Sequence, residues 1–211
     1  MYSVTHCIIR TSFVLSALIA SAEVFGAAAG ILIYANIEDT PYVLMADHKH
    51  VHQMKRGWGV FGGTVDGNEG PLDAAIREVI EESNGAFAEA DLRRVVDSRT
   101  KILETGYTTY FARTRFQPAT FFSNSVADVA QGVKGERGPF AWIPWPVVTK
   151  AATEAATQEK KCEFKPVKVP PEYLPEHRQT SWFYCAFLRT VELIEKTGGL
   201  PKSNKKLQPI R

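Results

Sequence analysis

The sequence has 211 residues, of which 45% are hydrophobic and 23% charged, a composition typical of one globular domain with a full hydrophobic core. The formal net charge is +2, so no overall field favours nucleic acid or a membrane surface as a partner. The three cysteines, at positions 7, 162 and 185, lack the paired spacing of a metal site. A disulfide between Cys162 and Cys185 is an option only for an exported protein.

Residues 1–22 carry an apolar run that has two interpretations. Arg10 precedes the run, and residues 20–22 (Ala-Ser-Ala) have the form of a signal-peptidase site. The run is too short to span a membrane, so it is either a cleaved signal peptide or an N-terminal helix docked on the core. Cleavage would place the protein outside the cytoplasm, which we slightly favour, and retention would place it in the cytoplasm.

Two strands are predicted next, over residues 27–36 and 42–46, with a turn between them. Histidines then alternate at positions 48, 50 and 52, where they could bind a metal from one strand face or lie in a solvated loop. We favour the loop. Three residues near it are candidate contacts to a substrate: Lys55, Arg56 and Trp58.

A glycine-rich turn and a helix follow. Gly62 and Gly63 end an apolar segment, and glycines at such a place let the backbone approach a ligand closely. Pro71 fits the first turn of a helix, where its missing N–H costs nothing, and Gly85 is well placed to end the helix. The pattern therefore predicts a helix over residues 71–83.

Three carboxylates of this helix, Glu78, Glu81 and Glu82, are spaced so that they project from one side. Like charges at that spacing repel, which suggests a missing cation, and hard oxygen ligands suit Mg²⁺ or Mn²⁺. Arg77 and Glu69 lie beside the cluster, and an arginine there can hold a carboxylate in place. The alternative is a solvated acidic face of a surface helix.

The segment from Gly63 to Gly85 resembles the signature of the Nudix hydrolase family. Five residues separate Gly63 from Glu69, seven more precede Arg77-Glu78, and the acidic pair Glu81-Glu82 follows. The chain departs from the signature at Asn84, where the family has glycine. Asparagine also tolerates the left-handed conformation that ends a helix, so we expect the turn to survive this difference.

The rest of the chain is predicted from its patterning. Residues 91–104 and 107–116 suggest two strands of a hairpin, and residues 140–143 a later strand. Before that strand lies a loop that contains Glu136, which is either a further acidic ligand or base, with Asp128 as an alternative, or part of a hydrophilic turn. Residues 147–178 are predicted to be irregular, as in a lid, and residues 180–197 to form a closing helix.

The resemblance implies a Nudix-type α/β/α sandwich with a mixed β-sheet over residues 23–200. The lysines and the arginine of residues 201–211 make a basic C-terminal tail. It implies Mg²⁺- or Mn²⁺-dependent hydrolysis of a nucleoside diphosphate linked to a group X, such as a nucleotide sugar or a dinucleotide. The expected partner is that small molecule, with no membrane and no nucleic acid, and a homodimer is allowed.

The resemblance also implies roles for the site residues. The metal is held by Glu78, Glu81, Glu82 and a carbonyl of Gly62 or Gly63, with Glu69 supporting the loop or a second ion through water. Either Glu78 or Glu136 takes the proton of the attacking water, and Arg77 orients the carboxylates.

Two other functions are weighed against this one. A Nudix-like module could bind a nucleotide without hydrolysing it, but such modules commonly lose glutamates that this chain retains. An isomerase of isoprenoid diphosphates would need a catalytic cysteine, and no cysteine of this sequence is in a credible position.

Overall fold

The computed structural model describes residues 28–47, 57–124, 138–158, 166–178 and 180–202. The strands are β1 (Ala28–Ile37), β2 (Thr40–Asp47), β3 (Trp58–Gly59), β4 (Phe61–Thr64), β5 (Lys101–Glu104), β6 (Tyr107–Arg113) and β7 (Phe140–Pro144). The helices are α1 (Pro71–Glu82), α2 (Glu89–Val95), α3 (Ala119–Asn124), α4 (Trp145–Ala156) and α5 (Cys185–Lys196), with a 3-10 helix at Pro171–Tyr173. Within these ranges, no helix has the length and hydropathy needed to cross a membrane.

Strand β1 is the centre of a mixed sheet of seven strands. It runs parallel to β6 on one side, and on the other side it is antiparallel to β4 along its first half and to β2 along its second half. The β2 strand continues the sheet by pairing with β3 and β7, and β5 pairs with the outer side of β6. Because β1 is covered on both faces, its sequence reads as a nearly continuous apolar run, as central strands do.

Helices cover both faces of the sheet. Alternate residues of β1 face opposite ways, so Ile31 and Ile33 pack with the apolar side of α1, whereas Leu32 and Tyr34 pack with α4 and α5. The predicted α/β/α sandwich with a mixed sheet is therefore confirmed. The predicted helix after the glycine turn and the predicted strands at 27–36, 42–46 and 140–143 match α1, β1, β2 and β7 within a few residues.

The strand predicted over residues 91–104 is wrong in its first part, which is the end of helix α2. Arg93 pairs with Glu89 at i,i+4, and Arg94 pairs with Asp91 at i,i+3, so the charges of this segment support a helix. Leu92 and Val95 are buried on its inner side. Two consecutive valines suggested a strand, but the strand itself is confined to β5.

The irregular segment predicted over residues 147–178 is also wrong in its first part, because α4 occupies residues 145–156. Pro146 lies in its first turn, and four small or branched residues form its buried stripe: Val148, Ala151, Ala152 and Ala155. The closing helix begins later than predicted, at Cys185. This cysteine is disulfide-bonded, and the other two cysteines of the chain lie outside the described residues.

A buried aspartate joins the end of β2 to the segment before α5. Asp47 is fully buried, and its carboxylate accepts hydrogen bonds from the backbone N–H of Thr180 at 2.9 Å and from its hydroxyl at 2.7 Å. The indole of Trp58 donates to the carbonyl of Thr180 at 3.1 Å. A buried carboxylate is costly unless it is hydrogen-bonded, so these contacts fix the entry to α5.

We expect Thr180→Val to lower the free energy of unfolding by about 1–3 kcal/mol, because it removes the hydroxyl donor to the buried Asp47 carboxylate and keeps the side-chain shape. The measurement is urea denaturation followed by circular dichroism. Thr149→Val is the matched control, since that hydroxyl is exposed and donates to a carbonyl of its own helix. An equal loss in both variants would contradict the role given to the Asp47 contact.

Candidate active site

The signature segment forms a strand, a turn and a helix, and both ends of the helix are well defined. Gly70 is the N-cap of α1 and Pro71 occupies its first turn. At the other end, Asn84 and Gly85 adopt left-handed conformations, with φ of 55° and 71°, and the N–H of Gly85 donates to the carbonyl of Ile80 at 2.8 Å. Asn84 also donates from its side chain to the carbonyl of Phe122 at 3.1 Å, so the turn keeps its geometry without the family's glycine.

Gly63 allows the carboxylate of Glu78 to lie directly against β4. A Cβ atom at Gly63 would lie 2.1 Å from Oε1 of Glu78. Only glycine therefore leaves room for the carboxylate, whose side chain is 12% exposed. The sequence predicted that Gly63 and Glu78 belong to one site, and the structure brings them into contact.

Glu82 lies on the same side of α1 and reaches the neighbouring glycine. Its residue is only 1% exposed, and Oε2 accepts a hydrogen bond from the N–H of Gly62 at 2.9 Å. A backbone N–H donor lowers the cost of burying a carboxylate. The glycine pair thus meets two glutamates of the helix, Gly62 through its amide and Gly63 through the absence of a side chain.

Arg77 connects the remaining carboxylates. Its guanidinium donates to both oxygens of Glu69, at 2.8 and 3.3 Å, to Glu78 at 3.0 Å and to Glu81 at 3.1 Å. It also donates to the carbonyl of Thr64 at 2.9 Å. A planar fork of five N–H donors suits such a set of contacts, in which one cation holds three side chains.

The contacts between Arg77 and Glu69 shift the pKa values of both groups. The hydrogen bond from Arg77, followed by one from the backbone N–H of Asp66, holds the pKa of Glu69 below its usual range. The hydrogen bond to Glu69 raises the pKa of Arg77, and the negative charges of Glu78 and Glu81 add to that effect. Arg77 and Glu69 are therefore a charged pair at neutral pH.

The arrangement differs in one respect from the predicted gathering of Glu78, Glu81 and Glu82 around a single ion. Glu78 and Glu81 share one nitrogen of Arg77, and Glu82 bonds to Gly62. In the part of the chain that the structure describes, no group of three or more His, Cys, Asp or Glu side chains is arranged as metal ligands. The carboxylates differ from the predicted arrangement because the guanidinium of Arg77 bonds both the adjacent Glu78 and Glu81, which is four residues further on.

The other predicted site residues fall into two groups. Trp58 is fully buried and donates to Thr180, which does not fit a contact to substrate because no surface of its side chain is free. Lys55, Arg56 and Glu136 lie outside the described residues, as do the alternating histidines and Asp128. Their predicted roles stay predictions.

A cavity that the sequence reasoning missed opens beside the glycine pair. It has a volume of about 370 Å³ and lies between the glycine turn, the β5–β6 hairpin and α5. Two of its lining residues, Thr109 and Thr190, are polar and buried. No signal in the sequence marked this cavity, because its walls come from separated parts of the chain.

Comparison with known proteins identifies the family. The model of the NUDIX domain matches residues 24–164, whereas no curated protein matches the sequence. Among solved structures, the Nudix hydrolase RenU of M. smegmatis is 18% identical, with a TM-score of 0.44 over 83% of this chain and 89% of that one. The NUDIX domain of Shewanella oneidensis NrtR, complexed with ADP ribose, is 11% identical, with a TM-score of 0.45 over 81% and 86% of the two chains.

A third solved structure is the Ap4A hydrolase of C. elegans, which is 19% identical, with a TM-score of 0.40 over 58% of this chain and 83% of that one. The identities and TM-scores are low, so the family assignment rests on the family model, which covers most of the chain. The protein belongs to the NUDIX domain family. It is a hydrolase that acts on acid anhydrides in phosphorus-containing compounds.

The two neighbouring glycines are expected to respond differently to alanine. In Gly63→Ala the new Cβ meets the end of a flexible side chain, so we expect the Glu78 carboxylate to move away, with loss of activity but a stability change below about 1 kcal/mol. In Gly62→Ala it meets the backbone of Ala29 and Gly30 at 2.7 Å, so we expect a loss of about 1–3 kcal/mol. Urea denaturation and turnover of a diphosphate substrate measure the two effects.

The control for both variants is Gly70→Ala. Gly70 has an ordinary φ of −80°, and a Cβ there would come no closer than 3.4 Å to the side chain of Asp73. We expect this variant to keep its activity and to lose no more than about 1 kcal/mol of stability, since alanine is a poorer N-cap than glycine. If Gly63→Ala kept full activity as well, the carboxylate of Glu78 would not need its position against β4.

Proposed function

We propose that the protein is a Mg²⁺- or Mn²⁺-dependent pyrophosphohydrolase that cleaves the diphosphate linkage of a nucleoside diphosphate joined to a second group. The observation that carries the proposal is the contact of the α1 carboxylates with the glycine pair, at the mouth of a cavity. The names of similar proteins point the same way, since they include an Ap4A hydrolase and a domain complexed with ADP ribose.

The residues at the site fit a hard divalent cation. Glu69, Glu78, Glu81 and Glu82 carry four formal negative charges and Arg77 one positive charge, so these five residues have an excess of three negative charges. Carboxylate oxygens are the ligands that Mg²⁺ and Mn²⁺ prefer. We propose that Glu78, Glu81 and Glu82 hold the cation together with a carbonyl of the glycine pair, and that Glu69 supports the turn.

The chain contributes positioning and a proton acceptor. Gly63 lets the Glu78 carboxylate lie against β4, and Arg77 restrains Glu69, Glu78 and Glu81 together, so that their oxygens are held before a substrate arrives. In this class of reaction a divalent cation neutralises the diphosphate and lowers the pKa of a water. We propose that Glu78 or Glu136 accepts the proton as water attacks phosphorus.

The function is tested with a panel of diphosphates and Mg²⁺, which includes Ap4A, ADP-ribose, NADH, CoA and nucleotide sugars. We expect at least one to be hydrolysed and Glu81→Gln to reduce turnover about a hundredfold or more, because a ligand charge is lost. Glu154→Gln, an exposed carboxylate on α4, is the matched control and keeps wild-type turnover. Binding of a nucleotide without any hydrolysis would favour the non-catalytic module instead.

The restraint by Arg77 has its own test. In Arg77→Lys the positive charge remains, but an ammonium cannot bond Glu69, Glu78 and Glu81 in the same planar geometry. We expect kcat to fall about tenfold or more, while the concentration of Mg²⁺ needed for half-maximal activity rises. Retention of both values would show that charge alone, and not the fork of the guanidinium, is what the site requires.

A further inference from the structure

The first half of β1 pairs with β4 through two glycines that face each other. Gly30 stands opposite Gly62 in β4 and opposite Thr109 in β6. The backbones of β1 and β4 approach closely here, since a Cβ atom at Gly30 would lie 2.3 Å from the carbonyl oxygen of Phe61. Glycine within a strand has no side chain to pack and keeps the widest range of backbone conformations, so such a pair needs support from another residue.

The side chain of Tyr107 supplies that support. Tyr107 lies in β6 two residues before Thr109, so it shares a face of the sheet with Gly30, and a diagonal neighbour is within reach of an aromatic side chain. Its phenolic oxygen lies over the glycine pair, because a Cβ atom at Gly30 or at Gly62 would be 2.2 Å from that oxygen. One oxygen atom thus occupies the space that two side chains would fill.

The glycine under this oxygen belongs to the candidate site. The N–H of Gly62 donates to Oε2 of the buried Glu82 at 2.9 Å, and Gly62 and Tyr107 both line the cavity. Tyr107 is half-buried and lies on the α5 face of the sheet, whereas Glu82 reaches Gly62 from α1. A contact that limits the movement of Gly62 therefore also keeps its N–H directed at the carboxylate on the other side.

We infer that Tyr107 is a positioning residue of the cation site, and that it acts on Glu82 through the backbone of Gly62. The inference rests on the proposed function, in which Glu82 is one of the carboxylates that hold a divalent cation. The phenolic oxygen keeps the Gly62 peptide in one orientation, so that its N–H holds the carboxylate before the cation binds. Without the oxygen a gap remains over the two glycines, which have no side chains to fill it.

The first test removes the phenolic oxygen and keeps the ring. Mn²⁺ binding to the full-length protein is measured by electron paramagnetic resonance without substrate, so the readout does not depend on hydrolysis. We expect Tyr107→Phe to raise the Mn²⁺ dissociation constant about tenfold, an effect typical of a residue that orients a metal ligand. Tyr42→Phe removes the same atom from a half-buried tyrosine of β2, and this matched control should keep the wild-type constant.

The second test determines whether Tyr107 acts through Glu82. In Glu82→Gln the carboxylate that Gly62 holds is replaced by an amide, which has no charge to offer the cation. In this background Tyr107→Phe should raise the constant by less than about threefold, because residues that act through one contact are not additive. A general loosening of the sheet would instead give the same factor in both backgrounds.

The inference is overturned if the wild type binds no Mn²⁺, if Tyr107→Phe binds it as tightly as the wild type, or if Tyr42→Phe weakens binding equally. It is also overturned if the effect of Tyr107→Phe is unchanged in Glu82→Gln. Its outcome is separable from that of the proposed function. Hydrolysis of the diphosphate panel with an unaltered Mn²⁺ constant in Tyr107→Phe removes only the inference, whereas a weakened constant without hydrolysis by the wild type removes only the hydrolase.

Discussion

The close approach of helix α1 to strand β4 is the constraint on which the site depends. Two glycines make it possible in different ways, because Gly62 supplies an amide to the buried Glu82 and Gly63 leaves space for Glu78. Any side chain at Gly63 would separate the helix carboxylates from the turn. The spacing between these glycines and glutamates along the chain is thus a consequence of one contact in space, made after the chain has passed through the turn and begun the helix.

Charge balance is the second determinant of the site. Four glutamates close to one another would repel, and the guanidinium of Arg77 relieves part of that repulsion by bonding three of them. The negative charge that remains lies beside the glycine pair, which Glu78 and Glu82 contact. The fold brings these carboxylates together, and carboxylate oxygens are the ligands that hard divalent cations prefer.

The sequence predicted the sandwich, the position of α1 and the membership of the glycines and glutamates in one site, because these follow from apolar periodicity and from a long motif. It failed where propensity and tertiary context disagree. Val95 and Val96 have strand-forming side chains, yet the charged pairs of Arg93 and Arg94 belong to a helix. Trp58 was assigned to the substrate from its place near the histidine-containing loop, but its burial depends on partners such as Thr180, more than a hundred residues away.

The cavity could not be read from the sequence for a similar reason. Its walls come from three separated parts of the chain. Thr109 and Glu104 line the cavity because the β5–β6 pairing places them beside α5. The structure separates the aromatic residues of β6 by face. Tyr110 is buried in the core under α1, whereas Tyr107 lines the cavity.

The turn after α1 shows what the family signature encodes at this position. The backbone needs a left-handed residue, and Asn84 meets that need while its amide ties the end of α1 to α3. Glycine would satisfy the same conformation without any such tie. At this position the motif therefore specifies backbone torsion angles and not one residue type. Asparagine can replace glycine there, keep the path of the backbone and add a hydrogen bond between two helices.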